Sequence, residues 1–123
     1  MELRELTKAE EEIMRVLWTL KKAFVKDVLT ELPEPKPAYT TVSTIIRILE
    51  RKGLVHYTAF GKTHEYFPLI SEAQYRKFQT EQLMTNYFDN SVKNLVSFFV
   101  DEKNISVAEA NEIIELLNKP QQP

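Results

Sequence analysis

Tyr39-Thr40-Thr41-Val42-Ser43-Thr44-Ile45-Ile46-Arg47-Ile48-Leu49-Glu50-Arg51-Lys52-Gly53 is a stretch with two faces. Val42, Ile45, Ile46 and Leu49 recur at steps of three and four, which lines them up as one apolar stripe on an α-helix. Thr40, Thr41, Thr44, Arg47 and Arg51 fall largely on the other side. Gly53 follows Lys52, where a helix C-terminus needs a residue that accepts left-handed backbone. The pattern predicts a helix over about residues 40–52. Its inner face can hold it rigidly on a core. Its outer face offers hydroxyls and guanidinium groups, the chemistry that reads base edges in the major groove of B-DNA. Thr40, Thr41, Ser43 and Thr44 can bond phosphates or base edges, and the threonine methyls can touch thymine. Arg47 can reach guanine or a phosphate. Arg51 and Lys52, one turn later, suit backbone contact. Thr40 to Arg51 is therefore the candidate recognition helix.

Upstream, Thr7-Lys8-Ala9-Glu10 has the form of a capping box, in which hydroxyl and carboxylate satisfy the free N–H groups of a helix start. Ile13, Val16, Leu17 and Leu20 follow at helical steps, widened by Met14 and Trp18, so a first helix is expected over residues 8–20. Lys21-Lys22 closes it, with cations where the helix dipole favours them. A second short helix carries Val25, Val28, Leu29 and Leu32 on one face and stops at Pro33. Pro33, Pro35 and Pro37 exclude a regular helix between it and Tyr39, because each lacks a backbone donor and fixes its own φ.

Downstream, Leu54 to Phe60 and His64 to Leu69 are rich in β-branched and aromatic residues, with Phe60-Gly61-Lys62-Thr63 as a tight turn between them. Pro68 confines the second strand to an edge or an end. Helix, helix, helix, hairpin is the order of a winged helix-turn-helix domain. The turn residues Gly61-Lys62-Thr63-His64 suit a wing lying against phosphate or the minor groove, and the Tyr39 hydroxyl can bond phosphate. Ser71-Glu72-Ala73-Gln74 opens a long helical stretch to about residue 100, with a break expected near Asp89-Asn90-Ser91. Met84, Tyr87, Phe88, Val92, Leu95, Val96 and Phe99 keep helical spacing within it. Ser106-Val107-Ala108-Glu109 caps a last helix with Ala110, Ile113, Ile114 and Leu117 on one face, and Lys119-Pro120 ends it. The expected fold is mainly α with a small β-hairpin. A winged helix DNA-binding domain over residues 1–70 precedes a helical dimerisation region over 71–123.

Two alternatives remain open on residues alone. Threonines at a helix start also serve as caps, and outward Arg and Lys are also ordinary solvated groups, so a winged helix that binds protein and no specific DNA fits the same pattern. The apolar tail fits a dimer interface, and it also fits an intramolecular helical hairpin. His56 and His64 fit the hairpin surface better than a metal site, and the hairpin aromatics fit packing better than base stacking.

Composition narrows the classes further. Among 123 residues, 43% are hydrophobic and 28% charged, ordinary for a globular chain. The net charge is −2. Residues 38–69 carry +2, against −1 for residues 1–37 and −3 for residues 70–123, so the basic character is central. No cysteine is present, which removes disulfides, thiolate-bound metals and a thiol nucleophile. Gly53 and Gly61 are the only glycines, so no phosphate-binding glycine loop exists, and the two histidines lack ligand spacing. Neither an enzyme nor a cofactor is expected. The start Met1-Glu2-Leu3-Arg4-Glu5 is too acidic for a secretory signal. No apolar run is long enough to span a bilayer, so a cytoplasmic protein without membrane insertion is expected.

The sequence resembles the penicillinase and methicillin-resistance repressors, the BlaI/MecI group, and their copper-responsive relatives. Leu6 to Glu10 with Ile13 to Trp18, Tyr39 to Val55, Gly61 to Ile70, Lys93 to Phe99 and Ile113 to Asn118 carry the resemblance. It implies a homodimeric repressor whose winged helices sit on a palindromic operator and whose C-terminal helices interlock. Thr41 and Thr44 match recognition-helix positions that face DNA. Where the family often has Arg this chain has Ile48, and Arg47 lies one place earlier. The resemblance further implies a membrane sensor metalloprotease as partner and inactivation by cleavage within an Asn-Phe pair. The aligned pair is Phe98-Phe99, where the Phe matches and the Asn does not. The copper branch senses metal through C-terminal cysteines, which this chain lacks.

Overall fold

In the computed structural model, residues 3–118 are described. Six helices and one antiparallel hairpin follow in the order α1 (Lys8–Leu20), α2 (Val25–Glu31), α3 (Tyr39–Arg51), β1 (Val55–Phe60), β2 (Thr63–Pro68), α4 (Glu72–Phe88), α5 (Val92–Asp101) and α6 (Val107–Asn118). The expected closure at Lys119-Pro120 lies outside the described residues. One compact unit ends at Phe78 and a second begins at Gln79.

Local chemistry explains where the helices start. The Thr7 hydroxyl accepts from the Glu10 N–H at 3.1 Å, and the Glu10 carboxylate accepts from the Thr7 N–H at 2.9 Å, a complete capping box. Ser71 and Gln74 repeat it for α4, at 3.0 and 2.7 Å. Ser91 and Ser106 cap α5 and α6 through the N–H groups of Asn94 and Glu109. At the start of α2 the Asp27 carboxylate accepts from the Phe24 N–H at 3.1 Å. Its other end is held by Lys36, whose Nζ donates to the carbonyls of Leu29, Thr30 and Leu32.

The end of α3 is a Schellman turn. Gly53 has φ 80°, its N–H donates to the Glu50 carbonyl at 2.9 Å, and the Leu54 N–H donates to the Leu49 carbonyl at 3.0 Å. The positive φ is why glycine belongs there. The chain leaves this turn directly into β1.

Val42, Ile46 and Leu49 of α3 are fully buried, together with Ile13, Met14 and Leu17 of α1, Val28 of α2 and Val55 of β1. Ile45, on the same predicted stripe, is half-buried. In the hairpin, Val55 pairs with Pro68 and Phe60 with Thr63, leaving Gly61 and Lys62 as the turn. Gly61 has φ 63°, the left-handed backbone that a two-residue hairpin turn requires of its first residue. Ala23 adds a bridge to β2: its N–H donates to the Tyr66 carbonyl at 2.9 Å and its carbonyl accepts from the Tyr66 N–H at 2.8 Å. The wing is thereby tied to the α1–α2 connection as well as to α3.

The first two turns of α4 belong to this unit. The Tyr75 hydroxyl accepts from the Leu6 N–H at 3.0 Å, and the Tyr75 ring lies 5.9 Å from that of Trp18. Trp18 Nε1 donates to the Ile70 carbonyl at 2.9 Å. Burial pushes the Tyr75 phenol above its usual range, against the lowering effect of the bond from Leu6.

In the second unit α5 packs on α6. Val96 and Ala110 are the buried apolar residues among those described there. The expected break between α4 and α5 is present. Asp89 and Asn90 both take positive φ, at 51° and 60°, and the Asn90 N–H closes the end of α4 on the Met84 carbonyl at 2.8 Å. No helix among the described residues is long and apolar enough to cross a membrane.

Candidate nucleic-acid interface

The stripe that buries Val42, Ile46 and Leu49 turns the opposite side of α3 outward. Thr40, Thr41, Thr44, Arg47 and Arg51 are exposed, and Tyr39 is 54% exposed. Ser43 and Ile48 are half-buried at the margins of this face. The N-cap residue of α3, Ala38, offers no side-chain oxygen. The N–H groups of the first turn are left for solvent or for an anion, which the positive end of the helix dipole favours.

Three elements meet beside this face. The start of α2 (Phe24, Val25, Lys26), one edge of α3 (Tyr39, Ser43, Arg47) and the wing (Lys62, Thr63, His64, Tyr66) line an open groove of about 550 Å³. Its walls hold the cations Lys26, Arg47 and Lys62, and none of the lining residues carries a carboxylate. None of the three cations forms an ion pair with a described residue. Arg47 lies back along α3, its Nε donating to the Ser43 carbonyl at 3.5 Å. On the floor, burial pushes the Tyr66 phenol above its usual range; Glu50 pushes the same way and the Arg47 charge opposes it. His64 stacks flat on Tyr57 at 3.9 Å, which fixes the imidazole against the wing. Phe60, exposed near the wing tip, meets the Phe24 ring edge-on at 5.9 Å, so the wing is propped against α2. Another open depression on the outer face is lined by Thr44, Arg47, Glu50 and Arg51.

Of the DNA-contact residues expected from sequence, the groove gathers Tyr39, Ser43, Arg47, Lys62 and His64. Thr40, Thr41, Thr44 and Arg51 share the exposed face of α3. Lys52 is engaged elsewhere: its Nζ donates to Glu10 Oε2 at 2.7 Å. Burial acts to raise the Glu10 carboxyl, but the bond from Lys52 and the two bonds with Thr7 outweigh it and hold the group below its usual value. This pair ties the end of α3 to the start of α1. Sequence reading missed Phe24 and Lys26. The available signal was that Lys26 lies off the Val25/Val28/Leu29/Leu32 stripe, on the outward side of the helix that precedes α3.

Among the residues expected at a dimer interface, Tyr87, Val92, Phe99, Ile113 and Ile114 are exposed, Met84, Phe88 and Leu95 are half-buried, and Val96 is buried within the chain. Leu117 lies in α6, and its side chain is outside the described residues. Leu83, Phe98, Val107 and Leu116 add to the exposed apolar surface. Phe98 and Phe99 both lie inside α5, with Phe98 edge-on to Phe88 at 5.7 Å. No group of three or more His, Cys, Asp or Glu among the described residues is placed to hold a metal ion.

The family profile described as penicillinase repressor matches residues 6–119. The chain belongs to the penicillinase repressor family. It is similar to the methicillin resistance regulatory protein MecI of Staphylococcus aureus strain N315, with 26% identity over 116 residues that cover 94% of both chains. It is also similar to the penicillinase repressor of Bacillus licheniformis, with 23% identity over 116 residues, 94% of this chain and 91% of the relative. The solution structure of the DNA-binding domain of the repressor BlaI superposes with a TM-score of 0.53 and 27% identity, over 60% of this chain and 92% of that domain. Family and fold agree with the resemblance read from Trp18 and the Thr41-x-x-Thr44 helix.

Proposed function

We propose that this chain is a DNA-binding transcriptional repressor that acts as a homodimer on a palindromic operator. The observation that carries the reading is the outer face of α3. It is a rigidly backed helix that presents Thr40, Thr41, Thr44 and Arg51 to solvent, beside a cationic groove free of carboxylates. A winged unit of this size neutralises few phosphates, so a single copy binds weakly and is sensitive to salt. Two copies on one duplex gain by effective concentration. Leu83, Tyr87, Val107 and Leu116 of the second unit are each exposed, which is apolar area that a partner would cover, and a second copy of this chain is the partner that reading names.

Control through the C-terminal region accompanies this reading. Phe98 and Phe99 are exposed, yet their peptide bond lies within α5. Cleavage there, by a membrane sensor metalloprotease or another protease, needs local unwinding of that helix.

In vitro selection of bound duplexes tests the function. The expected result is an inverted repeat with half-sites one helical turn, or a multiple of it, apart. Thr44→Ala is expected to lose the preference for that repeat. Failure to enrich any sequence, with an association that does not respond to salt, would favour a winged protein-interaction module instead.

A further inference from the structure

Arg47 has two roles open to it by chemistry, a bidentate contact to guanine or a contact to phosphate. Its surroundings discriminate between them. The side chain folds back toward the carbonyl of Ser43, its charge acts on the buried Tyr66 phenol of the wing, and it shares one groove with Lys26 and Lys62. These three cations come from three different elements, α2, α3 and the turn of the wing, and all lack an ion-pair partner among the described residues. Arg47 also borders the neighbouring depression with Thr44, Glu50 and Arg51, where Glu50 supplies the carboxylate that the groove lacks. A groove with cations on three walls, the hydroxyls of Tyr39, Ser43 and Thr63, the His64 imidazole and no carboxylate is dominated by donors and positive charge. It suits a continuous run of anionic oxygens.

We infer that the groove between α2, α3 and the wing holds the phosphate backbone of one DNA strand through Lys26, Arg47 and Lys62, so that Arg47 supplies affinity and no sequence preference. Base reading then rests on the strip of Thr40, Thr41, Thr44 and Ile48. Lys26 joins the interface as a contact from α2. Phe24 and Phe60 act as positioning residues, because their ring contact holds the wing turn bearing Lys62 toward α2. The inference rests on the DNA-binding reading above and adds which residues meet backbone and which meet bases.

The test compares the full chain with Lys26→Gln and Arg47→Gln by fluorescence anisotropy. Binding is followed on the selected duplex and on a random duplex of equal length, across a salt series. Each variant is expected to weaken both duplexes by the same factor. Each is also expected to flatten the logarithmic salt slope by about 0.9, the loss of one phosphate contact. Between roughly 50 and 200 mM salt, that slope change shrinks the deficit of the variant about 3.5-fold. Thermal unfolding of both variants is expected to match the parent, since both side chains are exposed. Arg47→Gln that weakens the selected duplex alone would overturn the assignment and make Arg47 a base reader. Lys26→Gln with unchanged affinity and slope would remove α2 from the interface. A parent chain that binds neither duplex at low salt would sink the DNA reading itself, a result distinct from the other two.

Discussion

Lys52→Ala is expected to destabilise the protein by about 2 kcal/mol at neutral pH, with nearly all of the effect gone in acid. Lys52 Nζ donates to Glu10 Oε2 at 2.7 Å; the Glu10 side chain is 5% exposed and that of Lys52 is 44% exposed. A fully buried pair broken on one side costs about 3–5 kcal/mol, and an exposed pair about 0–1 kcal/mol. Here the carboxylate is the buried member and the ammonium reaches water, so the cost falls between, near the roughly 1.5–3 kcal/mol of a hydrogen bond to a charged group. The pH dependence has a definite sign. The Glu10 carboxyl is held below its usual value, despite burial, by Lys52 and Thr7. The folded chain therefore binds fewer protons than the unfolded chain in that range, and stability rises with pH. This contribution is present above the usual glutamate value and disappears as pH falls through the lowered one. Without Lys52, burial opposes only the bonds with Thr7, the folded value moves up, and the variant loses less on acidification. Urea unfolding of parent and variant at neutral and acidic pH reads the difference directly. A gap of about 2 kcal/mol that is the same at both pH values would refute the reasoning, as would a negligible gap at neutral pH.

Three further outcomes are expected. Tyr75→Phe leaves the Leu6 N–H without its partner at 3.0 Å, which should cost about 1–3 kcal/mol in denaturant unfolding. Lys103→Gly should stabilise the chain by up to about 1 kcal/mol, because Lys103 holds φ 60° after α5 with the Asn104 N–H bonded to the Phe99 carbonyl; a lower unfolding midpoint would contradict that. Tyr87→Glu with Leu116→Glu changes two side chains that are 76% and 65% exposed in the single chain. Sedimentation is expected to show the parent as a dimer and the double variant as a folded monomer at the same concentration.

Much of the fold was legible because its signals are local. The Thr7-to-Glu10 box, the stripe through Val42, Ile46 and Leu49, the Gly53 turn and the Gly61 hairpin turn each lie within a few residues, and backbone and side chain satisfy one another at short range. The break at Asp89-Asn90 was visible for the same reason, since these residue types tolerate left-handed backbone. What stayed hidden depends on partners far along the chain. Lys52 looked like a backbone-contact cation after the recognition helix, and its carboxylate partner stands 42 residues earlier. Tyr75 falls in the helical stretch opened by Ser71 with no local signal of its own, and its hydrogen bond spans 69 residues. Lys26 becomes part of a groove only when α2, α3 and the wing converge on it. The candidate interface was thus readable along α3 and at the wing tip, where one element sets the geometry, and unreadable at α2, where three elements do.

The clamp of Tyr75 onto Leu6 and Trp18 bears on how chains of this kind can exchange parts. A joint placed just after β2, where the hairpin ends, looks like a natural seam. It would separate the winged half from the ring that covers Trp18 and the hydroxyl that satisfies Leu6. A chimera joined there inherits a foreign helix start against its own core, and the mismatch appears as lost stability before any change in DNA preference. The seam that keeps each half intact lies after Phe78, inside a continuous helix, where the register of the turn has to be preserved as well as the sequence.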